Sequence, residues 1–177
     1  MADNQFPAFL ETIDDNSKPL ASEINDFLLA QGCKCEIKTA KSGFTVSYIL
    51  PQTKKTLATF VCRKTGVKMR IFPQGLNVYE NFLETLPEKM KKDIRKASPC
   101  KRLINPDDCN PKCMMGYDFH MEDTHYQKCR FMAFMPSLNE ENYPFIKEFL
   151  ENEIKVQSRV QDERFLLPLS LAAPRYL

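Results

Sequence analysis

The spacing of hydrophobic residues changes several times along the chain, and each change predicts a new element. Between residues 17 and 32 apolar side chains recur every three or four positions, which predicts a helix that ends at Gly32. Between residues 35 and 72 the pattern switches to period two, interrupted by polar turns. This alternation predicts an antiparallel meander with one face on a core and the other toward water. The segment from Phe6 to Ile13 fits either a short helix or an arm.

The second half of the chain predicts helices on either side of another hairpin. Apolar spacing predicts a helix over 75–84, and Thr85-Leu-Pro-Glu88 has the form of a capping box that opens the next helix. Two strand-like segments, 115–121 and 125–135, flank a turn centred on Asp123, which places Cys129 opposite Tyr117. A further capping box, Ser137-Leu-Asn-Glu140, predicts the start of the last helix.

Together these elements predict a single α+β domain over residues 1–154. We expect an antiparallel sheet of about five or six strands, formed by the meander and the second hairpin, with helices packed on one face. Residues 155–177 have poor periodicity and are expected to form a C-terminal extension, either docked or disordered.

Composition narrows the class of protein. The formal net charge is only +2, which argues against strong non-specific binding to nucleic acid. The N-terminus lacks the pattern of a signal peptide, and no apolar run approaches the roughly 18 residues of a membrane span. The number of cysteines is odd, seven, which favours a reducing compartment. We therefore expect a cytoplasmic protein that does not bind a membrane.

Four of the seven cysteines lie within one stretch of thirty residues, and they are the candidate metal ligands: Cys100, Cys109, Cys113 and Cys129. Four thiolates can hold one structural zinc, although this spacing is irregular. Two other interpretations stay open. Cys129 can be a core thiol on the apolar face of the hairpin. Cys100 can be a reactive thiol, since Lys101 and Arg102 favour its thiolate, whereas the end of the preceding helix disfavours it.

A second candidate site is the basic stretch from Lys89 to Arg102, in which Asp93 is the single acidic residue. This stretch is consistent either with a solvated helix face or with a surface that binds an anion or nucleic acid. Aromatic residues are not interleaved with it, so nucleic acid is not the favoured partner. The candidate anion-binding residues are Lys89, Lys92, Arg95, Lys96, Lys101 and Arg102.

No motif for nucleotide binding, hydrolysis or metal-dependent proteolysis occurs in the chain, so no catalytic residue is assigned and an enzyme is not favoured. The leading prediction is a cytoplasmic binding module for a small molecule or a protein partner, without catalysis, whose pocket lies between the second hairpin and the neighbouring helices. The alternatives are a zinc- or thiol-dependent protein that uses the Cys100–Cys129 segment, and a nucleic-acid accessory protein that uses the basic stretch.

The order of elements between Ser17 and Lys96, including the Leu-Pro-Glu sequence at 86–88, resembles small uncharacterised bacterial domains of the YdhG-like type. The resemblance covers a third to a half of the chain. It implies a compact α+β architecture and carries no catalytic signature. The cysteine-bearing second half has no counterpart in those domains.

Overall fold

The first two helices cover the core; the apolar spacing predicts the second, while the segment before it, which fits a short helix or an arm, forms a short helix. A computed structural model describes residues 5–41 and 43–166, with the backbone alone for 161–166. Helix α1 spans Gln5–Leu10 and helix α2 spans Ser17–Ala30. Gly32, with φ at +78°, ends α2, and the next amide, that of Cys33, donates to the carbonyl of Leu28 at 3.0 Å. Phe9 of α1 is fully buried.

The meander is confirmed as a four-stranded antiparallel sheet in the order β1-β2-β3-β4. Its strands are Lys34–Ala40, Gly43–Ile49, Thr56–Arg63 and Gly66–Ile71. The inner face is apolar and fully buried at Val46, Phe60 and Met69. Phe60 stacks on Phe9 with ring centroids 5.4 Å apart. The outer face carries polar and charged residues, as the alternation predicts.

A fifth segment, residues 134–138, runs antiparallel along the free edge of β4. The amides of Met69 and Ile71 donate to the carbonyls of Pro136 and Phe134, at 3.0 and 2.8 Å, and Leu138 donates to Val67 at 3.0 Å. Pro136 has no N–H, so it cannot return a bond to β4. This proline explains why the segment is an irregular edge and not a regular strand.

The elements after the sheet follow the sequence pattern in position but differ in form. The predicted helix over 75–84 is two 3-10 turns, Leu76–Val78 and Glu80–Thr85. Helix α3 spans Glu88–Lys96 and buries Met90 and Ile94 as expected. The predicted capping box is wrong, since the Thr85 hydroxyl donates back to the carbonyl of Phe82 at 2.8 Å. A single helical turn, α4, follows at Lys101–Ile104.

The second hairpin is present, with a register one residue away from the prediction. Strands β5, Tyr117–Met121, and β6, Thr124–Lys128, pair so that Tyr117 lies opposite Lys128. The turn consists of Glu122 and Asp123, whose φ values are +52° and +56°. Two central residues with positive φ make a tighter turn than one centred on Asp123 alone. Cys129 therefore lies beyond the strand and is half-buried, not a core residue of the hairpin.

The last helix, α5, spans Tyr143–Leu166 and begins six residues after the predicted capping residue. Ser137 pairs instead with Lys68 at the sheet edge. The side chain of Asn139 accepts the amide of Asn142 at 2.9 Å and so serves the helix start. The predicted boundary at residue 154 falls inside α5, and residues 167–177 of the predicted extension lie outside the described residues.

The α+β class with a meander and a second hairpin is thus confirmed, and the six strands found among the described residues divide into a four-stranded sheet and a separate two-stranded one. Among the described residues, no helix is long and apolar enough to cross a membrane. One face of the sheet packs against the hydrophobic core, while the hairpin and α3 meet beside the edge of β4. That junction contains a cavity.

Candidate functional site

A cavity of about 180 Å³ lies between α3 and the edge segment next to β4. Helix α3 contributes Met90 and Ile94, the edge segment contributes Phe134, and Phe149 of α5 also lines the cavity. All four side chains are almost fully buried. Among the described residues, those that line the cavity include none of β5 or β6, so the cavity lies beside the segment that follows the hairpin.

Two methionines of the edge region, Met132 and Met135, line the cavity together with Met90 of α3. Met132 is 41% exposed, so it lies where the cavity opens to solvent. Thioether side chains are unbranched and polarizable, and they adjust to ligands of different shape. The pairing that brings the edge segment, and Met135 with it, to β4 is visible only in the structure.

The polar lining of the cavity comes from three charged residues, Lys68, Asp93 and Lys96. Among the residues that the structure describes, none of the three forms an ion pair within 4.0 Å. Two cations and one anion leave the lining with a net positive charge. Such a cavity suits an apolar ligand that carries one negative charge.

The hairpin is fixed to α3 beside this cavity by Lys128. The Lys128 ammonium donates to the carbonyls of Arg95 and Ala97, at 2.6 and 2.8 Å, at the C-terminal end of the helix. Those carbonyls have no partner within the helix, and a cation there also interacts favourably with the helix dipole. Burial lowers the pKa of Lys128 from its ordinary value. The contact holds one wall of the cavity in place.

The four candidate zinc ligands lie at different depths. Cys100 is buried, Cys113 and Cys129 are half-buried, and Cys109 is exposed. Within the described part of the chain, no group of three or more His, Cys, Asp or Glu residues is arranged to hold a metal ion. The structure therefore does not assemble the predicted set of four thiolates, and the zinc site stays a prediction.

Two of these thiols do lie in one strand-like arrangement. Cys100 donates its amide to Gln127 at 2.9 Å, and Cys129 donates its amide to Ser98 at 2.8 Å, so residues 98–100 run along the outer side of β6. The thiol of Cys100 accepts the amide of Gly116 at 3.2 Å. A Cβ on Gly116 would lie 2.0 Å from the carbonyl oxygen of Lys128, so only glycine fits there.

Comparison of the chain with protein-family models, with curated proteins and with solved structures finds no match. The resemblance to YdhG-like domains accordingly stays a prediction. The functional argument therefore depends on the geometry of this chain.

The basic stretch on α3 is partly neutralised by acidic side chains. Glu122, at the hairpin turn, contacts Arg95 and also Lys91, the latter at 3.0 Å, and Arg95 reaches Glu88 at 2.6 Å. Arg102 donates to the backbone carbonyls of Pro111 and Cys113. Of the six predicted anion-binding residues, Arg95 and Arg102 are thus already engaged. Lys89, Lys92, Lys96 and Lys101 are exposed.

Sequence analysis misses a buried carboxylate, that of Glu153 on α5, which is fully buried. It accepts the amides of Gln74 and Gly75, at 2.8 and 3.2 Å, the hydroxyl of Tyr79 at 2.6 Å and the side-chain amide of Gln157 at 2.8 Å. Burial, and then the Glu153 charge, raise the pKa of Tyr79. With its oxygens satisfied, Glu153 ties residues 74–79 to α5 and has no free position for a ligand.

Sequence analysis also misses a groove of about 470 Å³ on the outer face of the sheet. Its basic residues are dispersed over three parts of the chain, Lys54 with Lys55, Arg70, and Arg130, so no local run of charge reveals them. The signal in the sequence is the alternation itself, which places Arg70 on the outward side of β4. The groove is distinct from the cavity beside α3.

Proposed function

We propose that this chain is a binding module without catalytic activity, and that the cavity between α3 and residues 132–136 takes a small ligand with an apolar body and one anionic end. The support is the combination of an apolar, buried lining with Lys68 and Lys96 at its polar side. Apolar surroundings supply most of the affinity for such a ligand, and a few charged groups orient it.

The size of the cavity limits the ligand. A dry protein cavity of about 150 Å³ is large enough to hold benzene. The cavity here, about 180 Å³, therefore suits a body of one aromatic ring or a short aliphatic chain. Benzoate, phenylacetate and hexanoate have such bodies with one carboxylate, and we choose them as probes.

The test is calorimetric titration of the three carboxylates, with benzyl alcohol as the uncharged analogue of benzoate. We expect the carboxylates to bind and benzyl alcohol to bind at least about fivefold more weakly, since a cation next to the ligand is worth on the order of 1 kcal/mol or more. Met132→Trp, which fills the opening, should abolish binding. Val78→Trp adds the same bulk at a residue that is 63% exposed and outside the cavity lining, and should leave binding unchanged.

Lys96→Gln should weaken the carboxylates alone, whereas Lys92→Gln, on the exposed side of the same helix, should not. Equal binding of benzoate and benzyl alcohol, or binding that survives Met132→Trp, would contradict the proposal. Absence of binding by all three carboxylates up to about 10 mM, which corresponds to roughly 3 kcal/mol of binding free energy, would also contradict it.

The zinc prediction has its own measurement. Elemental analysis of protein purified under reducing conditions should give about one equivalent of zinc if the site exists, and Cys113→Ser should then lose both metal and thermal stability. Metal-free protein, with Cys113→Ser still folded, would remove the zinc prediction.

A further inference from the structure

The outer face of the meander concentrates positive charge that the small net charge of the chain conceals. Adjacent strands place Lys38, Thr45, Val61 and Lys68 in one cross-strand row, and Glu36, Ser47, Thr59 and Arg70 in the next. Glu36 is the one acidic side chain in these two rows, and it is paired with Lys34 at 2.9 Å. It lies three strands from Arg70, on the order of 14 Å away at the usual strand spacing.

Arg70 is the best indicator of a missing partner. Arg70 is half-buried, and its Nη2 donates to the sulfur of Met135 at 3.7 Å. Its Nε has no hydrogen-bond partner among the described residues. Burial, and then the nearby charge of Arg63, lower the pKa of Arg70. Because partial burial without a paired carboxylate is unfavourable for a guanidinium, such an arginine is suited to bind an anion from solution.

The groove around Arg70 combines cations with hydroxyl groups and an exposed ring. Among the residues that the structure describes, no acidic one lines it. Ser47 and Thr59 lie within hydrogen-bond distance of each other, at 3.1 Å, and both line the groove. Hydroxyl groups and guanidinium groups are both donors to phosphate oxygens. Lys54 and Lys55 add two exposed ammonium groups at the turn between β2 and β3.

Phe131 supplies an aromatic surface beside these cations. Its ring is 47% exposed, and its edge packs on Phe72, with centroids 5.8 Å apart. The guanidinium groups of Arg70 and Arg130 lie over the rings of Phe131 and Phe72, at 5.8 and 5.3 Å. An exposed ring next to arginine is a stacking surface for a base, and only an unpaired base offers its face to such a ring.

We propose that this groove binds single-stranded nucleic acid, with phosphates on Arg70, Arg130, Lys54 and Lys55 and a base stacked on Phe131. The four cations predict the salt dependence. Each neutralised phosphate of a single strand contributes about 0.7 to the slope of log K against log salt, so four contacts predict a slope of about −3. This surface differs from the basic stretch on α3 that the sequence indicates.

The test is fluorescence anisotropy with fluorescein-labelled (dT)15 and (rU)15, repeated with (dT)3 and with a 15-base-pair duplex. We expect the 15-mers to bind at least tenfold more tightly than (dT)3 and more tightly than the duplex. Phe131→Ala should weaken binding about tenfold through the lost stack. Lys54→Ala combined with Lys55→Ala should reduce the salt slope to about −1.5, since two contacts remain.

The matched control is Lys89→Ala combined with Lys92→Ala on α3, which removes the same charge from a different surface and should change the affinity less than twofold. Arg70→Ala is informative if it folds, and the exposed Lys54 and Lys55 pair keeps the proposal testable if it does not. Equal losses for the two lysine pairs would overturn the proposal. So would full competition by 10 mM inorganic phosphate, or tighter binding to phosphatidylserine vesicles than to either oligonucleotide.

Discussion

The basic helix α3 and the basic face of the sheet differ in how their charges are distributed and in what opposes them. On α3 the cations lie close together in the sequence, and Glu88 and Glu122 contact two of them, Lys91 and Arg95. On the sheet the cations come from distant parts of the chain, and within the described part of the chain no acidic residue lines their groove. The cations of the helix are thus closer together in the sequence, whereas those of the sheet are less neutralised by acidic side chains and more available to bind an anion.

This difference indicates that a run of lysines in the sequence is weak evidence for a binding surface. A helix on the outside of a domain is solvated on one face, and neighbouring acidic residues pair with its cations at little energetic cost. An arginine on a strand, by contrast, is half-enclosed by its neighbours, and without a carboxylate there its Nε can be left without a hydrogen-bond partner. Arg70 is in that position.

The largest expected effect comes from Gly116→Ala, which should destabilise the hairpin that contributes to both basic surfaces. The hairpin serves both surfaces, because Glu122 at its turn covers α3 and Arg130 after its second strand lines the groove. An added Cβ would lie 2.0 Å from the carbonyl oxygen of Lys128 and 2.7 Å from the Cβ of Cys100. Overpacking against backbone should cost about 3 kcal/mol of unfolding free energy in urea denaturation.

Gly66→Ala is the control for Gly116→Ala. Its Cβ would meet no atom within 4 Å, although its φ of +107° strains any other residue. We expect a smaller loss there, about 1–2 kcal/mol, from the backbone alone. A Gly116→Ala variant as stable as the parent protein would show that the hairpin does not pack on residues 98–100 as described.

Thr59→Glu should give the basic face of the sheet a carboxylate that neutralises its cations, as Glu122 does on α3. Thr59 lies directly opposite Arg70 on the neighbouring strand, so a glutamate there would supply the missing carboxylate. We expect at least a tenfold loss of (dT)15 affinity, because the groove would present a negative charge to phosphates. Thr59→Gln is the matched neutral variant and should stay within threefold of the parent protein. Similar losses in both variants would mean that shape and not charge decides binding.

Glu122→Gln should remove a carboxylate from α3 and leave its cations less neutralised, like those of the sheet. It releases Arg95 and Lys91 from their shared carboxylate. We expect (dT)15 to bind about two- to threefold more tightly and with a steeper salt dependence, since exposed cations each contribute little. Asp123→Asn, at the next position in the turn, is the control, because its carboxylate forms no ion pair with the residues that the structure describes. An equal gain in both variants would show an effect of net charge only.

The smallest effect is the pH dependence of the helix contacts. Hydrogen bonds from Arg95, and for Glu122 also from Lys91, lower the pKa of Glu88 and of Glu122 below the ordinary 4.5. The unfolded chain therefore binds more protons as the pH falls, so this stabilisation is complete above about 4.5 and is lost as the pH falls through the lower folded values. Urea denaturation between pH 6 and 3 should show a shallower acid loss for Glu122→Gln. An identical loss in the parent protein and the variant would contradict the assigned contacts.

The class of the fold and the position of most elements follow from the sequence, because alternation in the meander and helical spacing in α2 and α3 are strong signals. The exact hairpin register and the hydrogen-bond partners of individual side chains do not follow from the sequence. The hairpin turn at Glu122 and Asp123 lacks the Asn-Gly or Asp-Gly pair that marks such turns, so its register was predicted one residue away. Both predicted capping boxes were wrong, since Thr85 and Ser137 bond elsewhere.

The candidate sites divide in the same way. The pairing of residues 134–138 with β4, which forms one wall of the cavity, could not be predicted from the sequence, because Pro136 interrupts the strand pattern. The buried Glu153 looks like any surface glutamate in a helix. The groove on the sheet required the register that places Arg70, Thr59 and Ser47 in one row.

The most direct test of which basic surface binds is an NMR titration of isotope-labelled protein with (dT)15, following the backbone amides. The account predicts that Ser47, Thr59 and Arg70 shift with increasing ligand, while Lys89 and Lys92 on α3 stay in place. Shifts confined to α3, with the sheet amides unchanged, would contradict it and would return the binding surface to the basic stretch that the sequence indicates.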